Sequence, residues 1–99
     1  MLLILWRYRV KAGRESEFEQ VYGPCGDWTA LFGQAAGFAT TELLRDTSKP
    51  RSYLTIDRWA SETAYHAFRQ GRSEEYETLD ERCAALTERE EFLGAFLSI

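Results

Sequence analysis

The sequence predicts an α+β domain: a four-stranded antiparallel sheet with its helices packed on one face. Three observations predict it. Apolar residues alternate with period 2 at both ends and in the middle of the chain, and with period 3.6 in between. A short turn through Thr47, Ser48, Lys49 and Pro50 returns one middle strand into the next. Each of the two crossovers holds two short helices, and right-handed crossovers place all of them on the same side. The order is β-α-α-β-β-α-α-β, a β-α-β-β-α-β plan with each connecting helix broken in two.

Each element follows from its residues. Over residues 2–11, Leu2, Ile4, Trp6, Tyr8 and Val10 share one face, and Leu3, Leu5, Arg7, Arg9 and Lys11 share the other. The first face is wholly apolar or aromatic and is expected beneath helices. The second begins apolar and ends basic. Gly13 breaks this strand, and Glu15, Ser16 and Glu17 supply the acidic first turn of a helix. Phe18, Val21 and Tyr22 form its apolar stripe, and the run Gly23, Pro24, Cys25, Gly26 stops it. Asp27 is placed to cap a second short helix over residues 28–35, with Trp28, Leu31, Phe32 and Ala35 inward. Gly37 ends that helix, and residues 38–46 read as a strand.

Residues 51–61 form the strand around which the chain is organised. Tyr53, Leu54, Thr55, Ile56 and Trp59 suit a half-buried pleat. Ser61 caps the next helix, with Ala64, Tyr65 and Phe68 on one face. Gly71 breaks it and Ser73 is expected to cap another, carrying Tyr76, Leu79, Cys83 and Leu86 inward. Residues 92–99 are strongly apolar and read as the last strand.

The chain has 99 residues, enough for one domain (residues 1–99) with a single core. At 44% hydrophobic and 14% aromatic it is not a disordered composition. The net charge of −4 and the lack of any Lys/Arg run argue against binding nucleic acid or an anionic membrane. No apolar run approaches the ~20 residues that cross a bilayer. Arg7 and Arg9 interrupt the apolar start, which therefore reads as a strand, not a signal segment. Cys25 and Cys83 are far apart with no metal-type spacing, so they read as reduced thiols in a cytoplasmic protein.

Helices on one side leave the other sheet face open. That face carries Leu3 and Leu5. In the last strand Leu93, Ala95, Leu97 and Ile99 fall on one face, Phe92 and Phe96 on the other. Exposed apolar area of this kind predicts a symmetric homodimer with two sheets face to face. The alternative is a monomer whose last strand lies beneath its own helices.

Val10, Lys11 and Gly13, Phe18 and Tyr22, Gly37 and Phe38, and Tyr53 to Trp59 followed by Ser61 resemble the antibiotic biosynthesis monooxygenase domain of the dimeric α+β barrel superfamily. The resemblance spans essentially the whole chain in order. It implies a ferredoxin-like subunit, a dimer whose sheets form a barrel, and a small pocket in each subunit between sheet and helices. It also implies cofactor-independent oxygenation of a quinol, anthrone or similar planar aromatic. A non-catalytic, small-ligand-binding or stress-related dimer is the alternative, because fold alone does not settle function.

Such an oxygenase needs an apolar slot, a group that takes a phenolic proton and a donor for the developing oxyanion. Trp6, Tyr8, Trp28, Phe32, Tyr53, Trp59, Tyr65, Phe68 and Tyr76 offer aromatic wall, although aromatics at such spacing are usually plain core. Trp59 matches the family's strand-end tryptophan, which lines the pocket. Trp59, Tyr65 and Tyr53 are expected to shape the site, and Tyr65 to join Asp57 as a catalytic group. Asp57 shares a strand face with Tyr53 and Trp59 and is the proposed base; its other reading is an arginine-paired or exposed carboxylate. Asp80 reads as a solvated charge. His66 points away from Ala64 and Phe68, at ~100° per residue, and reads as surface. Many quinol-oxygenase-like relatives carry a histidine nine residues after the matching tryptophan; here Phe68 stands there. Haem-degrading relatives use an asparagine and an axial histidine. This chain has no asparagine, and its 73–80 stretch has no histidine. Cys25 reads as a loop filler, with a reactive thiol the alternative. No metal or cofactor is expected.

Overall fold

The computed structural model describes Met1–Ile99. The elements are β1 (Leu2–Val10), α1 (Glu15–Tyr22), α2 (Asp27–Phe32), β2 (Phe38–Arg45), β3 (Ser52–Trp59), α3 (Glu62–Gly71), α4 (Ser73–Cys83) and β4 (Thr87–Leu97). A single turn of 3₁₀ helix, Ala84–Leu86, links α4 to β4. The sheet runs β2-β3-β1-β4 with every pair antiparallel. This is the ferredoxin-like α+β arrangement that the sequence predicts.

The inward face of β1 is buried as the alternation requires: Leu2, Ile4, Tyr8 and Val10 are all buried. They join Phe18, Tyr22, Trp28, Phe32, Trp59 and Phe68 in one core cluster. The helices cover β1, β3 and β2. On the other face Leu3, Leu5, Leu54 and Ile56 remain half-buried and Leu44 is exposed.

Four local expectations change. β4 begins at Thr87, five residues before the apolar run, and its charged stretch pairs with β1 from Val10 to Arg7. An edge strand tolerates such charges because both its flanks reach water. Next, a bulge sets Leu5 opposite Gly94 but Trp6 opposite Phe92. It reverses the alternation, so Phe92 lies on the helix side and Phe96, opposite Leu3, on the open side. Gly94 adopts φ 147°, and a Cβ there would stand 2.9 Å from the Phe96 ring. Third, Gly26, not Asp27, occupies the cap position of α2, and that helix ends at Phe32. Asp27 instead holds Arg82 across to α4 at 2.7 Å. Fourth, Arg72 precedes α4, so Ser73 is its first residue and caps nothing. Ser61 does cap α3, its hydroxyl accepting the Ala64 N–H at 3.1 Å.

Candidate active site

Between the sheet and the helices lies a cavity of about 230 Å³. Strand register decides its floor. Trp6 lies opposite Thr55 across β1 and β3, and Thr41 lies opposite Asp57 across β2 and β3. Alternation turns all four toward the helices, where they line the cavity with Tyr8. The roof comes from Tyr22 of α1, Trp28 and Phe32 of α2, Arg69 of α3, and Tyr76 and Asp80 of α4. Glu90 closes the β4 side.

The rings brace one another. Tyr8 and Tyr22 stand 4.9 Å apart and Trp28 meets Tyr76 edge-on at 5.0 Å. The Arg69 guanidinium rests 3.9 Å from the centre of the Tyr76 ring and donates a 3.0 Å hydrogen bond to the Tyr65 hydroxyl. Arg69 has no carboxylate within 4.0 Å, so these rings are its partners.

Asp57 is the distinctive polar group of the floor. Burial pushes its carboxyl up to about 6, against which one hydrogen bond, donated by Thr41 at 2.9 Å, favours the charged form. No arginine pairs with it. Burial likewise raises Glu90, and the neighbouring Asp80 carboxylate adds to the rise. Tyr76 is pushed up to about 12 by burial. Tyr8 and Tyr22 are raised as well, again by burial first, so all three phenols stay protonated at neutral pH. Two buried donors in the lining make no well-formed hydrogen bond: the Thr55 hydroxyl, which lies beside the Tyr8 phenol, and the Trp28 indole N–H, which lies beside the Cys83 thiol. A buried donor left unpaired costs free energy that a bound acceptor recovers.

The structure gathers Trp6, Tyr8, Trp28, Phe32 and Asp57 around the cavity. It places Trp59, Tyr65, Tyr53 and Phe68 outside the lining. Trp59 is fully buried, its indole enclosed by Phe32, Phe38, Tyr65 and Phe68. Phe32, which does line the cavity, packs edge-on against it at 5.6 Å. Phe68 belongs to the same stack, at 5.1 Å from Trp59. Tyr65 keeps its hydroxyl on Arg69, and Tyr53 sends its own to Glu19 at 2.6 Å. His66 is exposed. Asp80, read as a solvated charge, stays exposed but also edges the cavity.

Thr41, Thr55, Tyr22, Arg69 and Glu90 were not singled out by their sequence context. Thr55 carried a signal, since it shares a strand face with Asp57. Arg69 carried none: it follows Phe68 on the outer flank of α3, and only its long side chain brings the charge round to the cavity.

A family model, antibiotic biosynthesis monooxygenase, matches residues 1–82. The chain belongs to this family. Solved structures with the family's fold lie near it. SnoaB, a cofactor-independent oxygenase from Streptomyces nogalater, superimposes in a mutant form with a TM-score of 0.76 at 24% identity, over 98% of this chain and 91% of that one. A conserved protein from Methanosarcina mazei gives 0.73 at 12% identity, over 99% and 92%. PA3566 from Pseudomonas aeruginosa gives 0.69 at 15% identity, over 99% and 93%. At these identities the likeness establishes the fold. No curated protein matches the chain. No helix is long and apolar enough to cross a membrane.

Proposed function

We propose that this monooxygenase-family chain is a cofactor-independent oxygenase of a small planar aromatic, a quinol or anthrone-like molecule, and that it works as a homodimer. The observation that carries the reading is Asp57: a carboxyl with no cationic partner on the floor of an aromatic cavity, pushed up to about 6, with the Thr55 hydroxyl on the same strand face.

The chemistry follows from those groups. The substrate ring slots between Trp6, Tyr8, Trp28 and Phe32. Asp57, ionised above its pKa, removes the acidic proton of the bound ring. The resulting anion is electron-rich enough to reduce dioxygen. Carbon–oxygen bond formation gives a peroxide anion, which takes the proton back from Asp57 to become a hydroperoxide, and this loses water. For an anthrone the net change is a ring CH₂ plus O₂ to a ring C=O plus H₂O; for a quinol it is the quinol plus O₂ to a hydroxyquinone plus H₂O. The Thr55 hydroxyl and Trp28 N–H are the donors for the ring oxygen on which charge gathers.

The homodimer reading rests on the open sheet face, where Leu3, Leu5, Leu44, Leu54, Ile56 and Phe96 cluster, and on β4. Phe92, Phe96 and Leu97 are each more than half exposed. A second copy is the occupant that a self-complementary apolar face invites.

Oxygen uptake by the purified protein with a panel of quinols and anthrones tests the reading. Uptake that Asp57→Asn abolishes supports it. No uptake from a folded protein that still binds these ligands moves the assignment to a non-catalytic binding protein. The absence of a cavity histidine, with Phe68 in the core and His66 exposed, favours that second reading.

A further inference from the structure

Arg69 is the one cation in the lining of the aromatic cavity, and the proton transfer proposed above does not use its charge. It stands in the last turn of α3, directly after the buried Phe68. Its side chain crosses to α4, where the guanidinium rests 3.9 Å from the centre of the Tyr76 ring. One N–H donates to the Tyr65 hydroxyl at 3.0 Å, and the rest of the fork has no acceptor in the protein.

That isolation is uncommon in this chain. Acids outnumber bases 16 to 12. Eight of the ten arginines find a carboxylate within 4.0 Å, and Arg69 does not. Asp57, Asp80 and Glu90 border the same cavity, yet none pairs with it. Burial raises the Asp57 carboxyl and no cation pulls it back. Asp80 and Glu90 keep company with each other: burial first, and then the Asp80 carboxylate, raise Glu90. Strand β1 separates β3, which carries Asp57 and packs against α3, from β4, which carries Glu90. The cavity therefore has a cation at its α3 side and a pair of acids toward β4. A guanidinium held by two aromatic residues has already lost much of its rotamer freedom, so a carboxylate entering the cavity meets a preorganised fork.

We propose that Arg69 makes this cavity selective for an aromatic acid, whose carboxylate pairs with the Arg69 guanidinium while its rings fill the slot. The planar fork matches a carboxylate and pairs with both of its oxygens. The acid group is then held at α3, and the reacting ring lies over Asp57. The proposal rests on the reading of this cavity as the substrate site. It concerns the helix side of the sheet, away from the face that a second copy covers.

The test is an anaerobic fluorescence titration with dihydroxynaphthoate and with dihydroxynaphthalene, which lacks the carboxylate. The proteins are the wild type, Arg69→Gln, Arg69→Lys and Asp80→Asn. The wild type is expected to bind the acid roughly tenfold or more tightly than the neutral diol. Arg69→Gln should lose that preference and keep its affinity for the diol. Arg69→Lys should keep part of the preference, because the charge stays and the fork is lost. Asp80→Asn removes a negative charge from the same cavity, so it should tighten the acid and leave the diol unchanged. A wild type that binds both ligands equally, or a preference that survives Arg69→Gln, overturns the proposal. So does Arg69→Gln weakening both ligands alike, since Arg69 then serves only to cover the Tyr76 ring. Oxygen uptake is measured separately with the same two compounds. An acid that binds through Arg69 and is not oxidised defeats the oxygenase reading alone. A diol that is bound and oxidised as well as the acid defeats the Arg69 proposal alone.

Discussion

The Thr41 hydroxyl reaches from β2 to its cross-strand neighbour Asp57 on β3 and donates a 2.9 Å hydrogen bond to the carboxylate. It is the one direct hydrogen bond the Asp57 side chain receives. The bond steadies the carboxyl without supplying a counter-charge. Burial therefore prevails, and the group sits near 6, where it can both take and return a proton around neutral pH.

Asp57 should leave a pH signature on stability. Its folded pKa of about 6 lies above the unfolded carboxylate value of about 3.9. Protons are therefore held more tightly in the folded state. The contribution is fully present below about pH 4 and is lost as pH rises through about 6. Asp57→Asn should match the wild type at pH 4 and equal or exceed it at pH 8. Urea unfolding at both pH values checks this, and a variant weaker than wild type at pH 8 rejects it.

Catalysis should show the opposite slope. Turnover of a quinol should rise through about pH 6 and level off as the Asp57 carboxylate forms. Asp57→Asn should remove that limb of the pH–rate profile and lower turnover by roughly 100-fold or more.

Thr55→Val keeps the shape of the side chain and deletes a buried hydroxyl. Stability should stay within about 1 kcal/mol of the wild type, because the hydroxyl makes no well-formed hydrogen bond and only approaches the Tyr8 phenol. Turnover should fall by roughly 100-fold if the hydroxyl donates to the ring oxygen. Denaturation and steady-state kinetics on the same preparation separate the two effects.

Trp59 and Trp6 should part company. Trp59 is fully buried among aromatic rings. Its change to Ala should destabilise the fold by about 3–5 kcal/mol. Trp6 lines the cavity and keeps part of its surface open. Trp6→Ala should cost less stability and weaken ligand binding more. Melting curves beside a fluorescence titration with a bound aromatic decide it.

The open sheet face gives a further expectation. Phe96 is 52% exposed and sits opposite Leu3. Phe96→Asp should turn a dimer into a monomer in sedimentation velocity with little loss of secondary structure. Gly94→Ala should destabilise by about 1–3 kcal/mol, because its left-handed φ of 147° is strained for any side chain and the new Cβ meets the Phe96 ring.

The order of the elements and the inward face of β1 were legible in the residues. Helix stripes, strand alternation and turn chemistry are set by neighbours within a few positions, so Leu2, Ile4, Tyr8 and Val10 declare themselves buried before any partner is known. Asp57 was legible for the same reason: a carboxyl two residues from Trp59 on one strand face cannot avoid the helix side of the sheet. Long-range contact decided the rest. Whether an inward aromatic becomes wall or core depends on what packs against it: Phe32, from the first crossover, lines the cavity, while Trp59, packed against it, is fully buried outside the lining. Arg69 reaches the site only because α4 brings the Tyr76 ring beneath its guanidinium. The Gly94 bulge, which separates Phe92 from Phe96, exists only in register with β1. The Arg9–Arg89 cross-strand pairing likewise appears when two strands far apart in the chain meet. Pairing across the sheet is a property of backbone hydrogen bonds between distant segments, and no local pattern encodes it.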